Sequence, residues 1–161
     1  MSAFYDPKFG SFAGAAHIAV VDIDPLTGQV KIIRYVATED VGNMINPKVV
    51  EGQIIGGAVQ GLGGALLEEF AYDADGQLLT GSLADYMLPT ASDVPTMRLV
   101  HFQSPSPLNP LGVKGVGEGG AISPPVVIAN AVSDALSGFK AEFNRTPVRP
   151  DHIVAAVRGA R

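Results

Sequence analysis

There is no cysteine and no tryptophan among the 161 residues of the chain. Without cysteine the chain holds no disulfide, no zinc–thiolate or iron–sulfur ligation and no thiol nucleophile. Histidine is scarce: His17, His101 and His152 lie far apart without ligand spacing, and each is expected to be satisfied or exposed. Charge is sparse as well, at 17% with a net value of −5 and no basic run, which argues against non-specific nucleic-acid binding. The longest apolar stretches are broken by Gly and Pro, so no transmembrane helix is expected, and no signal-peptide pattern is visible. Both observations point to the cytoplasm. No G-x-S-x-G nucleophile elbow and no Gly-Lys-Ser/Thr phosphate loop occur.

What is present is apolar. Hydrophobic residues make up 47% and the mean hydropathy is +0.24, high for a free-standing soluble domain and suggestive of surface meant for a partner. Phe4, Tyr5, Phe9 and Phe12 are too many aromatics for a free tail and are expected to pack on something. The length suits one domain over 1–161. Ala15 to Asp24 and Gln29 to Val41 read as strands joined by the turn Pro25-Leu26-Thr27-Gly28, an antiparallel hairpin. Asp73-Ala74-Asp75-Gly76 signals a second hairpin. Thr96 to Gln103 alternates as a strand. Pro150 to Val157 reads as a short last helix after a linker over Asn144 to Arg149. Strands, helix, strands, loop and helix in that order predict an α+β fold, with antiparallel hairpins and a small mixed sheet packed against a long Gly-rich helix and a second helix.

The long helix is predicted from Asn46 as N-cap and Pro47 as first residue, running to about Tyr72 with a possible break over Gly61–Gly64. Six glycines lie inside it: Gly52, Gly56, Gly57, Gly61, Gly63 and Gly64. Each costs roughly 0.5–1 kcal/mol relative to Ala, and something must offset that. Gly52, Gly56 and Gly57, Gly61 stand four apart, one above the other, and Gln53 and Gln60 share that side. Such a face is built for close approach by another backbone or by a ligand. Close helix–helix packing alone accounts for it equally well.

The densest glycine cluster is Gly115-Val116-Gly117-Glu118-Gly119-Gly120. It formally fits G-x-G-x-x-G, but the preceding SPSPLNPLGVK is no strand, and Asp134 and Glu142 fall in or after a helix, so a dinucleotide fold is not indicated. Ser123 as N-cap and Pro124 as first residue open a second helix to Leu136, with Gly138 its stop. Backbone N–H groups in a Gly-rich turn can form an anion-binding nest. The lone carboxylate, Glu118, is either a positioned base or a solvated residue capping the helix from upstream.

Four segments carry a resemblance: HIAVVDIDPLTGQVKIIRYVATEDVG, INPKVVEGQIIGGAVQGLGGALLEE, LADYMLPTASDVP and GVKGVGEGGAISPPVVIANAVSDAL. In these the chain resembles the C-terminal part of the molybdenum-binding subunit of the xanthine oxidase, aldehyde oxidoreductase and carbon monoxide dehydrogenase family. The resemblance implies a molybdopterin cofactor, in its cytosine dinucleotide form, held between this region and an amino-terminal half that the chain does not match. The metal would be ligated by the pterin dithiolene rather than by protein side chains. Glu118 would be the general base for hydroxylation of an aldehyde or N-heterocycle carbon with water as oxygen source. Gln53 would hydrogen-bond the pterin, with Gln60, Gly56, Gly57, Gly115, Val116 and Gly117 lining the cofactor. Electrons would pass to Fe–S and FAD partners. The alternative is a non-catalytic scaffold or degenerate paralogue that only stabilises a partner subunit.

Overall fold

The structure, a computed structural model, describes residue 4, residue 6 and residues 9–160. It is an α+β fold in which β1 (Gly14–Ile23) and β2 (Val30–Asp40) precede α1 (Pro47–Leu66), followed by β3 (Met97–His101), α2 (Gly119–Ala135) and α3 (Pro150–Gly159). β1 and β2 pair antiparallel, with Ala15 opposite Glu39 and Ala19 opposite Tyr35. The hairpin turn is closed by Asp24, which accepts from the Leu26 N–H and the Thr27 hydroxyl at 2.9 Å each. Gly28 lies there at φ +74° against the Pro150 backbone, so the turn docks directly on the start of α3.

β3 joins the far edge of β2 in parallel, Tyr35 opposite Met97 and Glu39 opposite His101. The sheet is therefore mixed, in the order β1-β2-β3. A parallel neighbour needs a long crossover, and the segment containing α1 supplies it. The second hairpin shrinks to one bridge, Tyr72 with Leu78, because the Asp73 carboxylate takes the Asp75 and Gln77 N–H groups and the segment closes as a local turn.

α1 starts as the sequence indicates, with the Asn46 side chain accepting from the Val49 N–H. It ends at Leu66 rather than near Tyr72. The Leu67 and Glu68 N–H groups both turn back to the Gly63 carbonyl, and the Ala65 carbonyl accepts from Val148 outside the helix at 2.7 Å. The helix continues unbroken through Gly61, Gly63 and Gly64. α2 starts earlier than Ser123–Pro124 would suggest: Glu118 is its N-cap and both prolines lie inside it. The Glu118 carbonyl accepts from Ala121 and Ile122, which sets the first turn upstream of the prolines.

The core lies between sheet and helices. Tyr35 and Ala37 face it from β2, Ile54, Ala58 and Leu62 from α1, and Ile128 with Val132 from α2. Among the described residues no helix is long and apolar enough to cross a membrane. Phe4, Phe9 and Phe12 are exposed rather than packed, and Tyr5 lies outside the described residues.

Candidate cofactor-binding site

α1 and α2 cross with their backbones in contact. A Cβ built on Gly57 would lie 3.0 Å from the Ala121 nitrogen and 3.1 Å from the Gly120 Cα; one on Gly61 would lie 2.7 Å from the Ala121 carbonyl oxygen. From the other side, a Cβ on Gly120 would strike the Ile54 carbonyl. Glycine is required at these positions by proximity. Among the glycines from 112 to 120, only Gly112 has a positive φ, +65°, so the run from Gly115 to Gly120 does not build a nest of alternating handedness.

Gly63 lies against the Glu68 side chain, and the other three helix glycines behave differently. Gly52, Gly56 and Gly64 have nothing within 4 Å of a Cβ. At 100° per residue Gly52, Gly56, Gln60 and Gln53 fall within an arc of about 100°, and all four are exposed. One side of α1 is thus committed to α2, and an adjacent side is bare.

The glycine loop is carried to the rim of that bare side by a set of polar clamps. Asn43 donates to the Leu111 carbonyl at 2.8 Å, and its N–H donates to the Gly112 carbonyl at 3.0 Å. Asn109 makes a two-point contact with the Val113 backbone. The Lys114 N–H donates to the Val41 carbonyl at 2.8 Å, and Val116 packs on the core. Asp40 joins three segments, accepting from the Gly42 N–H, the Ser104 N–H and Lys114 Nζ, the last at 2.6 Å. None of these side chains stood out in the sequence. The signal available was Asp40-Val41-Gly42-Asn43 at the exit of a strand, a turn rich in capping residues.

Those three donors, Lys114 first, hold the Asp40 carboxyl down at about 2. A carboxyl depressed in the folded state stabilises it above the unfolded pKa, and that contribution is lost as pH falls through the folded value. The expected outcome is that Asp40→Asn lowers the melting temperature at pH 7. The gap to the wild type should close between about pH 4 and pH 2, where the wild-type carboxyl protonates as well. A gap that persists at pH 2 would assign the effect to something other than charge.

Gln53 reaches across from α1 and donates from Nε2 to the Gly117 carbonyl at 2.6 Å. A carbonyl acceptor fixes which end of the amide faces the loop. Oε1 and the second Nε2 hydrogen then remain for another partner. Glu118 follows directly. It is exposed, its side chain does not cap α2, and it enters no ion pair among the described residues. The backbone N–H groups from Gly115 to Gly120 donate to nothing among the described residues. The structure thus brings Gln53, Gly117 and Glu118 together. Gly56 and Gln60 lie on the adjoining bare face without touching the loop, and Gly57 belongs to the helix crossing instead. Gly115 and Gly117 are exposed with open space around them.

Of the three histidines, His101 contacts Glu51 at 3.1 Å and His152 contacts Arg145 at 3.0 Å. His17 is neither exposed nor fully satisfied. Its side chain is fully buried 4.0 Å from Glu39, Nδ1 contacts the Tyr35 hydroxyl at 2.8 Å, and Nε2 has no partner among the described residues. Sequence spacing could not show this, since the contact crosses two strands. No group of acidic or histidine side chains among the described residues is arranged to hold a metal.

A bare glycine face, two exposed carboxamides and a row of unpaired N–H donors suit a flat, polar, anionic cofactor that brings its own metal ligands, with the Glu118 carboxylate free at the rim. That donor set fits a pterin phosphate, and the open Cβ positions at Gly52, Gly56, Gly115 and Gly117 leave room for close contact. The fold and site thus define a cofactor-cradling domain that offers backbone donors and one carboxylate and, among the described residues, no cluster of metal ligands.

Comparison with known proteins agrees. The family model described as a molybdopterin cofactor-binding domain matches residues 1–95. The chain is 43% identical over 155 residues to the nicotine 6-hydroxylase large subunit of Paenarthrobacter nicotinovorans, covering 96% of this chain and 19% of that one. It is 40% identical over 134 residues to the carbon monoxide dehydrogenase large chain of Hydrogenophaga pseudoflava, covering 83% of this chain and 17% of that one. Its structure resembles quinoline 2-oxidoreductase from Pseudomonas putida 86, with a TM-score of 0.88 and 44% identity over 91% of this chain and 19% of that chain. The chain belongs to the molybdopterin cofactor-binding family, among the molybdenum-binding subunits of xanthine oxidase, aldehyde oxidoreductase and carbon monoxide dehydrogenase type. It spans about a fifth of the length of these relatives.

Proposed function

We propose that residues 1–161 form the C-terminal cofactor domain of a cytoplasmic molybdenum hydroxylase, one wall of a molybdopterin site whose other wall lies in an amino-terminal half or an equivalent chain. The observation that carries this is the unengaged Glu118 carboxylate, set beside Gln53 and a row of free backbone N–H groups. When bound, the cofactor, in its cytosine dinucleotide form, supplies the two-electron redox chemistry. The chain supplies orientation and a base. Gln53 and the N–H groups of Gly115, Val116 and Gly117 hold the pterin, Gly56 and Gln60 border it, and Glu118 accepts the proton released as water-derived oxygen is delivered to substrate. The substrate is a small molecule with an electron-poor carbon, in an N-heterocycle or an aldehyde. Likeness to proteins named for nicotine and quinoline supports the heterocycle. Electrons leave through Fe–S and FAD partner subunits.

Small-molecule sites usually bury about 70–90% of their ligand, and one wall cannot. Exposed apolar side chains such as Ile122 and Val126 on α2, and Ile18 and Val20 on β1, offer surface for the rest of the enzyme. The isolated chain is therefore expected to carry no molybdenum and to show no oxidoreductase activity. Adding the chain that supplies the amino-terminal half should restore both molybdenum and organic pterin. Stoichiometric molybdenum in the isolated monomer would overturn the one-wall reading, and a native complex with neither molybdenum nor pterin would overturn the enzyme.

A further inference from the structure

Beneath the first turn of α2 lies a polar group that the proposed reaction does not use. Glu39, on β2, is buried with its side chain 1% exposed. Its carboxyl lies under Gly119, the residue that follows Glu118; a Cβ at Gly119 would sit 2.5 Å from Oε2 and 3.0 Å from Oε1. Beside it is the His17 ring, fully buried, with Nε2 4.0 Å from Glu39 Oε1. Among the described residues neither of these two atoms has a hydrogen-bond partner. The far side of the ring is held by the Tyr35 hydroxyl, the two rings edge to face. Alternation along β2 puts Tyr35, Ala37 and Glu39 on the core face, so Glu39 is a carboxyl where an apolar side chain would be expected.

A buried, unpaired carboxylate is costly, and a carboxyl in such a place sheds its charge instead. Burial pushes the Glu39 carboxyl up and the His17 imidazole down. Both directions favour the neutral forms. The separation of 4.0 Å is too long for a hydrogen bond.

We propose that Glu39 is a positioning residue, held as a neutral carboxylic acid beside the buried His17 ring, so that the loop bearing Glu118 rests on an uncharged support and Glu118 is the sole negative charge at the start of α2. The inference rests on the reading of Glu118 as the base. Ionisation of Glu39 would place a second negative charge under the loop, repel the Glu118 carboxylate and draw the free N–H groups of Gly119 and Gly120 inward, away from the cofactor face. The titratable groups on the surrounding elements are His17 and Asp22 on β1, Lys31, Arg34 and Tyr35 on β2, Lys48 and Glu51 on α1, Arg98 and His101 on β3, and Glu118 and Asp134 at the two ends of α2. The His101 ring contacts Glu51. Asp40 and Lys114 pair with each other on the opposite face of β2.

Two measurements test this. In the 161-residue chain at pH 7, infrared difference spectra of wild type against Glu39→Gln should show a protonated carboxylic acid that disappears in the variant and persists in Glu118→Gln. In the assembled enzyme, Glu39→Gln mimics the neutral acid. It should keep the molybdenum content and keep turnover within about threefold at pH 7, while removing an alkaline loss of cofactor retention that the wild type is expected to show as Glu39 ionises. If Glu39→Gln does not accumulate, the wild-type chain alone decides: the acid band should persist through neutral pH and vanish only on the alkaline side. A band absent at pH 7, or alkaline limbs that coincide in wild type and Glu39→Gln, would overturn the proposal. Because the infrared signal requires no turnover, it stands or falls separately from the role given to Glu118.

Discussion

Glu118→Gln in the assembled enzyme is expected to leave the molybdenum and pterin content unchanged and to lower turnover by ~10²–10⁴-fold, the usual range for loss of a general base. The amide has the shape of the acid but cannot take a proton. Nothing structural depends on the carboxylate: it makes no capping bond, and the contact that fixes the loop runs from Gln53 to the Gly117 carbonyl. The melting temperature should therefore barely move, which separates lost chemistry from lost folding. Turnover within tenfold of wild type, with the cofactor in place, would remove Glu118 from the reaction.

Gly57→Leu is expected to have the largest effect on assembly. Its side chain would have to occupy space already filled by the Gly120 and Ala121 backbone, and backbone on both sides cannot give way as a flexible side chain can. Overpacking typically costs ~1–3 kcal/mol, occasionally more, against a total stability of ~5–15 kcal/mol for an ordinary domain. Here the strain would also lift the start of α2 away from α1 and carry Glu118 with it. Gly56→Ala is the informative contrast. Nothing lies within 4 Å of its Cβ, so the isolated chain should gain up to about 1 kcal/mol of helix stability. In the assembled enzyme Gly56→Leu should instead reduce molybdenum retention, because a cofactor bound on that face, as proposed, would crowd the position. If Gly57→Leu melts like wild type, the backbone crossing is not as close as described. If Gly56→Leu retains full molybdenum, the bare face of α1 does not meet the cofactor.

The helix glycines show how far the sequence could be read. Their spacing announced a surface for close approach, but could not say which glycine met protein and which met something else. Adjacent positions diverged: Gly57 faces α2, while Gly56 faces outward. A 100° step separates them, and without the position of α2 the two faces are equivalent. The hairpin and the N-cap at Asn46 were legible because they depend on neighbours in sequence. The early start of α2 was not, because Pro124 suggests a first position by local rules, whereas the crossing with α1 requires Gly120 already inside the helix. Glu118, alone on its glycine loop, and Gln53, on the glycine-paved helix face, were legible as candidates from the residues themselves, and the four resembling segments supplied the roles. The clamp formed by Asp40 and Lys114, and the His17–Glu39 pair, were invisible because their members lie on different strands or loops and follow no spacing rule.

The clamp around Asp40 has a further consequence for the order in which this protein assembles. Asp40 meets Lys114 across 74 residues, and Gln53 meets Gly117 across 64. The hairpin turn, by contrast, closes within a few residues of Asp24. Closing long loops carries an entropic penalty before any contact compensates for it. The hairpin and α1 can thus form early, whereas the stretch from Asn109 to Gly120 must arrive late. What docks last also opens first when stability is marginal. Amide exchange should accordingly be faster at Lys114, whose N–H bonds to Val41, than at the central pairs of β1 and β2. The chain would then pass through a half-closed state in which the face bearing Gln53 and Glu118 is still being finished.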